Sequence, residues 1–278
     1  MNNIAVTGAS GYIGRHVISV IKDNGFQPVS VVYSTEKTMV DEYIIKMDIL
    51  SASREEVINH FSGMNSVIHL AWQSGFNHHD ECHLNNVTRH LNFIESLMIA
   101  GVKNISVAGT MHEVGYFVGE IDNNTPCNPI NPYGISKNYL RQACLYLANK
   151  YNCNLKWLRM YYILGDDNNS NSIFSKILTA EQEKKGTFPL NSGEMLYDFI
   201  NIKDLSNQIF AASNQDKVNG IINCCSGKPV SLRTTVEKFI KDNALNIKPL
   251  YNVFPAREYD SPAIWGSSKI INKIMNND

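Results

Sequence analysis

Short apolar runs alternate along the chain with longer stretches in which apolar residues recur every three or four positions. "IAV" at 4–6 reads as a buried strand, 12–23 as a helix and "PVSVVY" at 28–33 as a second strand. "YIIKM" at 43–47 and "SVIHLA" at 66–71 continue the strand series. Residues 84–100 set Val87, Leu91, Ile94 and Met98 on one stripe and read as a helix. "NISVAG" at 104–109 is the next strand, a helix runs from Tyr133 to about Lys150, and "LKWLRMYY" at 155–162 follows as a strand. Alternation of this kind predicts an α/β fold built on a doubly wound parallel sheet. After Gly165 the pattern breaks into the polar stretch "GDDNNSNS" and shorter elements, with a return to the sheet at "GIINCC", 220–225. The expected organisation is a dinucleotide-binding domain over 1–164, its sheet completed by about 199–226. A small C-terminal substrate-binding lobe then takes 165–198 and 227–278. No internal repeat or flexible linker interrupts it.

Composition narrows the function classes. The chain has 278 residues, enough for one large α/β domain with a small attachment, and 44% of them are hydrophobic, enough for a sizeable core. With 25 basic and 26 acidic residues the net charge is −1, which gives no electrostatic case for nucleic acid or membranes. No apolar run approaches the roughly 18–20 residues that cross a bilayer. Met1 leads straight into a strand and turn, so no signal peptide is expected. The six cysteines lack CxxC spacing and read as reduced thiols, which points to a cytoplasmic protein.

"VTGASGYIG", residues 6–14, follows the first strand at once and opens a helix. Gly8 permits a tight turn, Gly11 lets the backbone approach a pyrophosphate, and Gly14 lets helix and strand pack closely. The helix N-terminus supplies amide donors and a positive dipole end. A dinucleotide is the expected ligand.

The TGxxGxxG spacing resembles the extended branch of the short-chain dehydrogenase/reductase superfamily, the NAD-dependent epimerase/dehydratase family, and the likeness covers most of the chain. The resemblance implies a Rossmann-type sheet and a cofactor site residue by residue. Gly8, Ser10, Gly11, Tyr12, Ile13 and Gly14 would surround the pyrophosphate, and Tyr33 and Ser34 would lie at the adenosine ribose. Asp48, with Ile49, would meet the adenine amine. Leu70, Ala71 and Trp72 in "IHLAW" would line the ribose and pyrophosphate, and Asn86 holds the family's asparagine position.

"NPYGISK", residues 131–137, is the family's YxxxK motif, with Tyr133 and Lys137 one helical turn apart behind Pro132. By resemblance Tyr133 is the general acid or base, Lys137 contacts the nicotinamide ribose and lowers the phenol's pKa, and Thr110 orients the substrate oxygen. The physical need is plain. A free phenol titrates at about 10, and a cation within about 4–6 Å stabilises its phenolate.

The second strand ends "VVYST", with no carboxylate before Glu36. Ser34, Thr35, Lys37 and Arg15 could donate to a 2′-phosphate, which favours NADP(H); Glu36 keeps NAD(H) open.

"AGTMHEVG", 108–115, lacks the Asp-Glu pair that follows the threonine in the family's dehydratases. The stretch from Gly109 to Lys137 resembles a narrower group, NADP-dependent reductases of nucleotide-linked 4-keto-6-deoxy sugars, although Val114 stands where that group has tyrosine. The resemblance assigns Met111, His112 and Tyr162 to the sugar pocket, Tyr162 standing where 4-epimerases commonly have asparagine. Of two arginines that commonly hold the diphosphate, one position is Tyr197 and the other remains Arg257. The reading is reduction of the 4-keto group of a nucleotide-diphosphate sugar. The alternatives are a 4-epimerase with tightly held NAD and a non-catalytic dinucleotide sensor. Family members often form homodimers through the helices at 84–100 and 133–150.

"HHDECH", 78–83, collects metal-ligand types, with His79 and His83 four apart. It reads as a polar loop at the substrate mouth, and no metal is expected.

Overall fold

The computed structural model describes residues 3–33, 43–165, 172–255 and 261–276. The first half runs β1 (Asn3–Thr7), α1 (Tyr12–Asp23), β2 (Gln27–Val32), β3 (Ile44–Lys46), α2 (Arg54–Phe61), β4 (Ser66–His69), α3 (Cys82–Ile99), β5 (Asn104–Thr110) and β6 (Gly119–Ile121). The chain continues through α4 (Pro132–Tyr151), β7 (Asn154–Met160), β8 (Tyr162–Leu164), α5 (Ile173–Gln182), β9 (Thr187–Pro189), β10 (Leu196–Asn201) and α6 (Ile202–Ser213). It ends with β11 (Gly220–Cys224), β12 (Pro229–Ser231), α7 (Leu232–Asp242), β13 (Lys248–Leu250), β14 (Ala263–Gly266) and α8 (Lys269–Asn276).

Seven parallel strands form the main sheet in the order β11-β7-β5-β4-β1-β2-β3. From β1 the chain steps outward through β2 and β3, then crosses back to place β4 on β1's other side. The order reverses there, so a crevice opens beyond the carboxyl ends of β1 and β4. Both faces are covered, which is why these strands read as near-continuous apolar runs. On β1, Ile4 and Val6 enter the cluster shared with α1, α6 and α8, while Ala5 enters the cluster under α2, α3 and α4.

The second sheet runs β12-β10-β14-β6, with β8 beside β10, and β13 pairs separately with β9. Its strands come from both sides of the expected boundary at residue 165, since β6 and β8 precede it. β10 pairs in this sheet, and β11 is the late strand that joins the main one. Buried Asp198 knots the layer by accepting from Ser226 N at 2.8 Å, Gly227 N at 2.9 Å and Gly266 N at 3.1 Å. A third apolar cluster, containing Met111, Tyr161 and Tyr197, joins this layer to the edge of the main sheet.

Candidate active site

The glycine turn leaves β1 at Thr7 and enters α1 at Tyr12. Gly8 has φ +68°, and a Cβ there would lie 2.8 Å from Ala71 N. A Cβ on Gly14 would overlap Gly8 O and sit 2.8 Å from Ala9 Cα. Gly11 is the N-cap of α1, and neither a capping side chain nor an acidic residue occupies that first turn. The close approach that these glycines allow and the positive helix end suit a pyrophosphate, so the residues present fit the dinucleotide. Ser10, Tyr12 and Ile13 belong to the same turn. Leu70 and Ala71 flank it from β4, Ala71 N donating to Thr7 Oγ1 at 3.3 Å.

Farther along the crevice, Asp48 is folded onto its own turn, its carboxylate accepting from Leu50 N at 3.1 Å and Ser51 Oγ at 2.8 Å. Each oxygen keeps a second lone pair. Ile49 beside it lines a cleft walled by Arg54, Arg89 and Phe93. Tyr33 is exposed at the end of β2. Ser34, Thr35, Glu36 and Lys37, which carried the NADP(H) expectation, lie outside the described residues, as does Arg257. Asn86 Nδ2 donates to Gln73 Oε1 at 2.8 Å and ties α3 to the loop after β4.

Thr110 ends β5 and caps the 3-10 turn Met111–Glu113. Asn131 caps α4 by accepting from Gly134 N at 2.8 Å, and Pro132 follows as the first helical residue. Tyr133 N donates to His78 O at 3.1 Å, which fixes the helix start against the loop after β4. One turn on, Lys137 is buried, and Nζ donates to Ala108 O at 2.8 Å. Thr110, Tyr133 and Lys137 thus converge at the carboxyl end of β5.

Electrostatics here are dominated by burial. It pushes the Tyr133 phenol up to about 12, against which a hydrogen bond with the Thr110 hydroxyl acts. It pushes Lys137 down to about 7 although the Glu113 carboxylate favours the ammonium. His112 is pushed down to about 3 by burial, with His78 adding to the effect, so its ring is neutral at pH 7.

Glu113 is a neighbour that the sequence did not single out, whereas His112 and the 78–83 loop were read from it. Glu113, buried, accepts from Arg159 Nε at 2.8 Å and Trp157 Nε1 at 2.8 Å, and reaches Thr110 N at 3.5 Å. The T-x-x-E spacing from Thr110 to Glu113 was the available signal. His78 stacks on Tyr133 with centroids 5.0 Å apart and planes 12° apart, and His112 lies 4.2 Å from His78. His83 uses both ring nitrogens, Nδ1 accepting from Trp72 Nε1 at 3.0 Å and Nε2 bonded to Asn77 O at 2.9 Å.

A cleft beside this trio is lined by Met111, His112 and Tyr162 together with Tyr116, Ile130 and Tyr197. Tyr162 and Tyr197 pack with centroids 4.4 Å apart, and the Tyr197 hydroxyl meets Met195 Sδ at 3.1 Å. Tyr197, at the position that the resemblance gives to a phosphate-holding arginine, is therefore part of an aromatic wall.

The sequence model of the NAD dependent epimerase/dehydratase family matches residues 4–225. A dTDP-6-deoxy-L-talose 4-dehydrogenase (NAD(+)) of Aggregatibacter actinomycetemcomitans is 55% identical over 95% of this chain and 99% of its own. A GDP-6-deoxy-D-talose 4-dehydrogenase of the same organism is 23% identical over 99% of this chain and 92% of its own. Among solved structures, a UDP-glucose 4-epimerase from Brucella ovis in complex with NAD superposes with TM-score 0.86 at 18% identity, covering 99% of this chain and 93% of that one.

Proposed function

Because the chain belongs to the NAD dependent epimerase/dehydratase family, we propose that it interconverts the 4-hydroxyl and 4-keto forms of a nucleotide-diphosphate 6-deoxyhexose. The observation that carries this reading is the convergence of Thr110, Tyr133 and Lys137 beside the aromatic cleft. The nicotinamide supplies or accepts the hydride at the sugar carbon. In reduction Tyr133 gives its proton to the nascent alkoxide, and in oxidation the phenolate takes the hydroxyl proton. Thr110 bonds the same oxygen, and the Lys137 ammonium favours the phenolate.

Met111, His112, Tyr162 and Tyr197 would wall the sugar. Tyr162 at the position where epimerases commonly carry asparagine supports net redox over epimerisation. The name of the relative at 55% identity favours NAD(H) and a dTDP sugar. NADP(H) is the second reading, favoured by Tyr33 standing where a ribose-binding carboxylate would end β2.

The test is a panel of dTDP-, GDP-, UDP- and CDP-linked 4-keto-6-deoxyhexoses incubated with NADH or NADPH. Stoichiometric cofactor oxidation with a 4-hydroxyl product is expected, fastest with dTDP and NADH. No oxidation with any member overturns the reading. A 4-epimer formed from a nucleotide hexose without net redox change, by protein that copurifies with NAD, would make it an epimerase.

A further inference from the structure

Trp72 lies three residues past the end of β4, and its indole meets Lys137: Nζ lies 3.7 Å from the ring centroid. Among the described residues no carboxylate is within ion-pair distance of that ammonium, whose one hydrogen-bond acceptor is Ala108 O at 2.8 Å. An ammonium carries three donors, so a buried lysine with a single acceptor needs another source of stabilisation. An aromatic face supplies it through the ring quadrupole, and does so most strongly where water is excluded.

The indole is itself held on several sides. Its N–H donates to His83 Nδ1 at 3.0 Å, and His83 Nε2 is bonded to Asn77 O at 2.9 Å. The His90 ring stacks on it at 4.4 Å with planes 20° apart, and its edge faces Tyr133 at 6.3 Å. The loop that holds His83 also gives His78 O to Tyr133 N at 3.1 Å. Loop, indole, ammonium and phenol are therefore one fastened unit.

We propose that Trp72 is a positioning residue for Lys137, its indole face fixing the ammonium one helical turn from Tyr133 and favouring its charged form. The role rests on the oxidoreductase reading given above. The groups that face Lys137 are compatible with it. His69 on β4 and His90 on α3 are held uncharged by burial and by the ammonium itself. Cys144, one of the groups facing it from its own helix, keeps its thiol proton through burial. Tyr133 is protonated in the free protein, and among the described residues Glu113 in the 3-10 turn is the one carboxylate whose field reaches Lys137.

The test grades the ring's electron density without changing its shape. Mono-, di- and tetrafluorotryptophan are placed at position 72 by nonsense suppression, alongside Trp72→Phe and Trp72→Leu. The first readout needs no substrate or cofactor: the Lys137 15Nζ shift is followed against pH in lysine-labelled protein and assigned by its absence in Lys137→Met. The midpoint should fall stepwise with fluorine count, by about one pH unit across the series. The second readout is the pH profile of 4-keto reduction, whose alkaline limb should move to lower pH in the same order, with KM for the sugar nucleotide within about twofold and kcat at least tenfold lower in Trp72→Leu. An unchanged midpoint across the fluorinated proteins, which keep the indole's shape, overturns the proposal even if Trp72→Leu fails to fold. Wild-type protein with no turnover would remove the oxidoreductase reading while leaving the titration to decide Trp72.

Discussion

Glu113 Oε1 accepts from Arg159 Nε at 2.8 Å where neither side chain meets solvent, and the same carboxylate reaches Thr110 N. A buried pair of this kind adds little net stability compared with a well-packed apolar pair, but breaking it strands a charge. Glu113→Gln leaves Arg159 without its counterion and should cost about 3–5 kcal/mol in urea unfolding. Replacing both members of the pair, Glu113→Leu with Arg159→Met, should recover only part of that loss, because Trp157 Nε1 loses its acceptor and Arg141, 3.6 Å from the carboxylate, loses its counterion. Turnover should stay low in both variants because Thr110 loses its anchor. A double variant with wild-type kcat would show that the carboxylate serves stability alone.

Tyr133→Phe keeps the ring that stacks on His78 and removes only the proton-bearing group. It should lower kcat by about 10²–10⁴-fold, the usual scale of general acid–base catalysis. Dinucleotide affinity, followed by fluorescence titration, should stay near wild type. Retained turnover would take the phenol out of the chemistry.

The elements readable in advance were those with a strong local period. The β1–α1 turn, α3 and α4 fall within a few residues of the pattern that predicts them. The eight-residue helix α2 was not read, although Ser53 and Glu56 form a capping box, because its apolar face is short. The second sheet is assembled from β6, β8, β10, β12 and β14, most of only three or four residues, paired across long separations that leave no local signature. The site divides in the same way. The meeting of Thr110, Tyr133 and Lys137 at the end of β5 was legible from motif spacing. That Arg159 in an apolar strand finds a carboxylate 46 residues away, or that Lys137 rests on Trp72, depends on tertiary packing alone.

Gly14→Ala tests the glycine turn sterically. The new methyl would overlap Gly8 O and press on Ala9 Cα, both backbone atoms that cannot swing aside. Gly25→Ala is the control, since φ there is +77° but no atom lies within 4 Å of the added carbon. The control should lose about 1–2 kcal/mol from left-handed strain and keep dinucleotide binding. Gly14→Ala should abolish the thermal stabilisation that NADH gives the wild type, or fail to fold. Unchanged stabilisation by NADH would mean that α1 and β1 are less tightly apposed than the distances require.

Lys137 also makes stability depend on pH in a direction that opposes its proposed role. Burial lowers its folded-state pKa from the usual 10.5 to about 7. Between those values the unfolded chain holds a proton that the folded chain has released, so unfolding free energy rises with pH across that window. Below about pH 7 both states carry the charge, and the folded state bears the full penalty of burying it. Other groups titrate in the same range, so the informative quantity is the difference between wild type and Lys137→Met in urea unfolding. The wild type should gain stability on the variant steadily from pH 7 to 10, and the variant should be the more stable protein at pH 7. A difference that stays flat, or slopes the other way, would mean that the ammonium is better solvated or better paired than its surroundings indicate. With the predicted slope, alkaline pH stabilises the free protein by discharging the cation that the proposed mechanism pairs with the phenol.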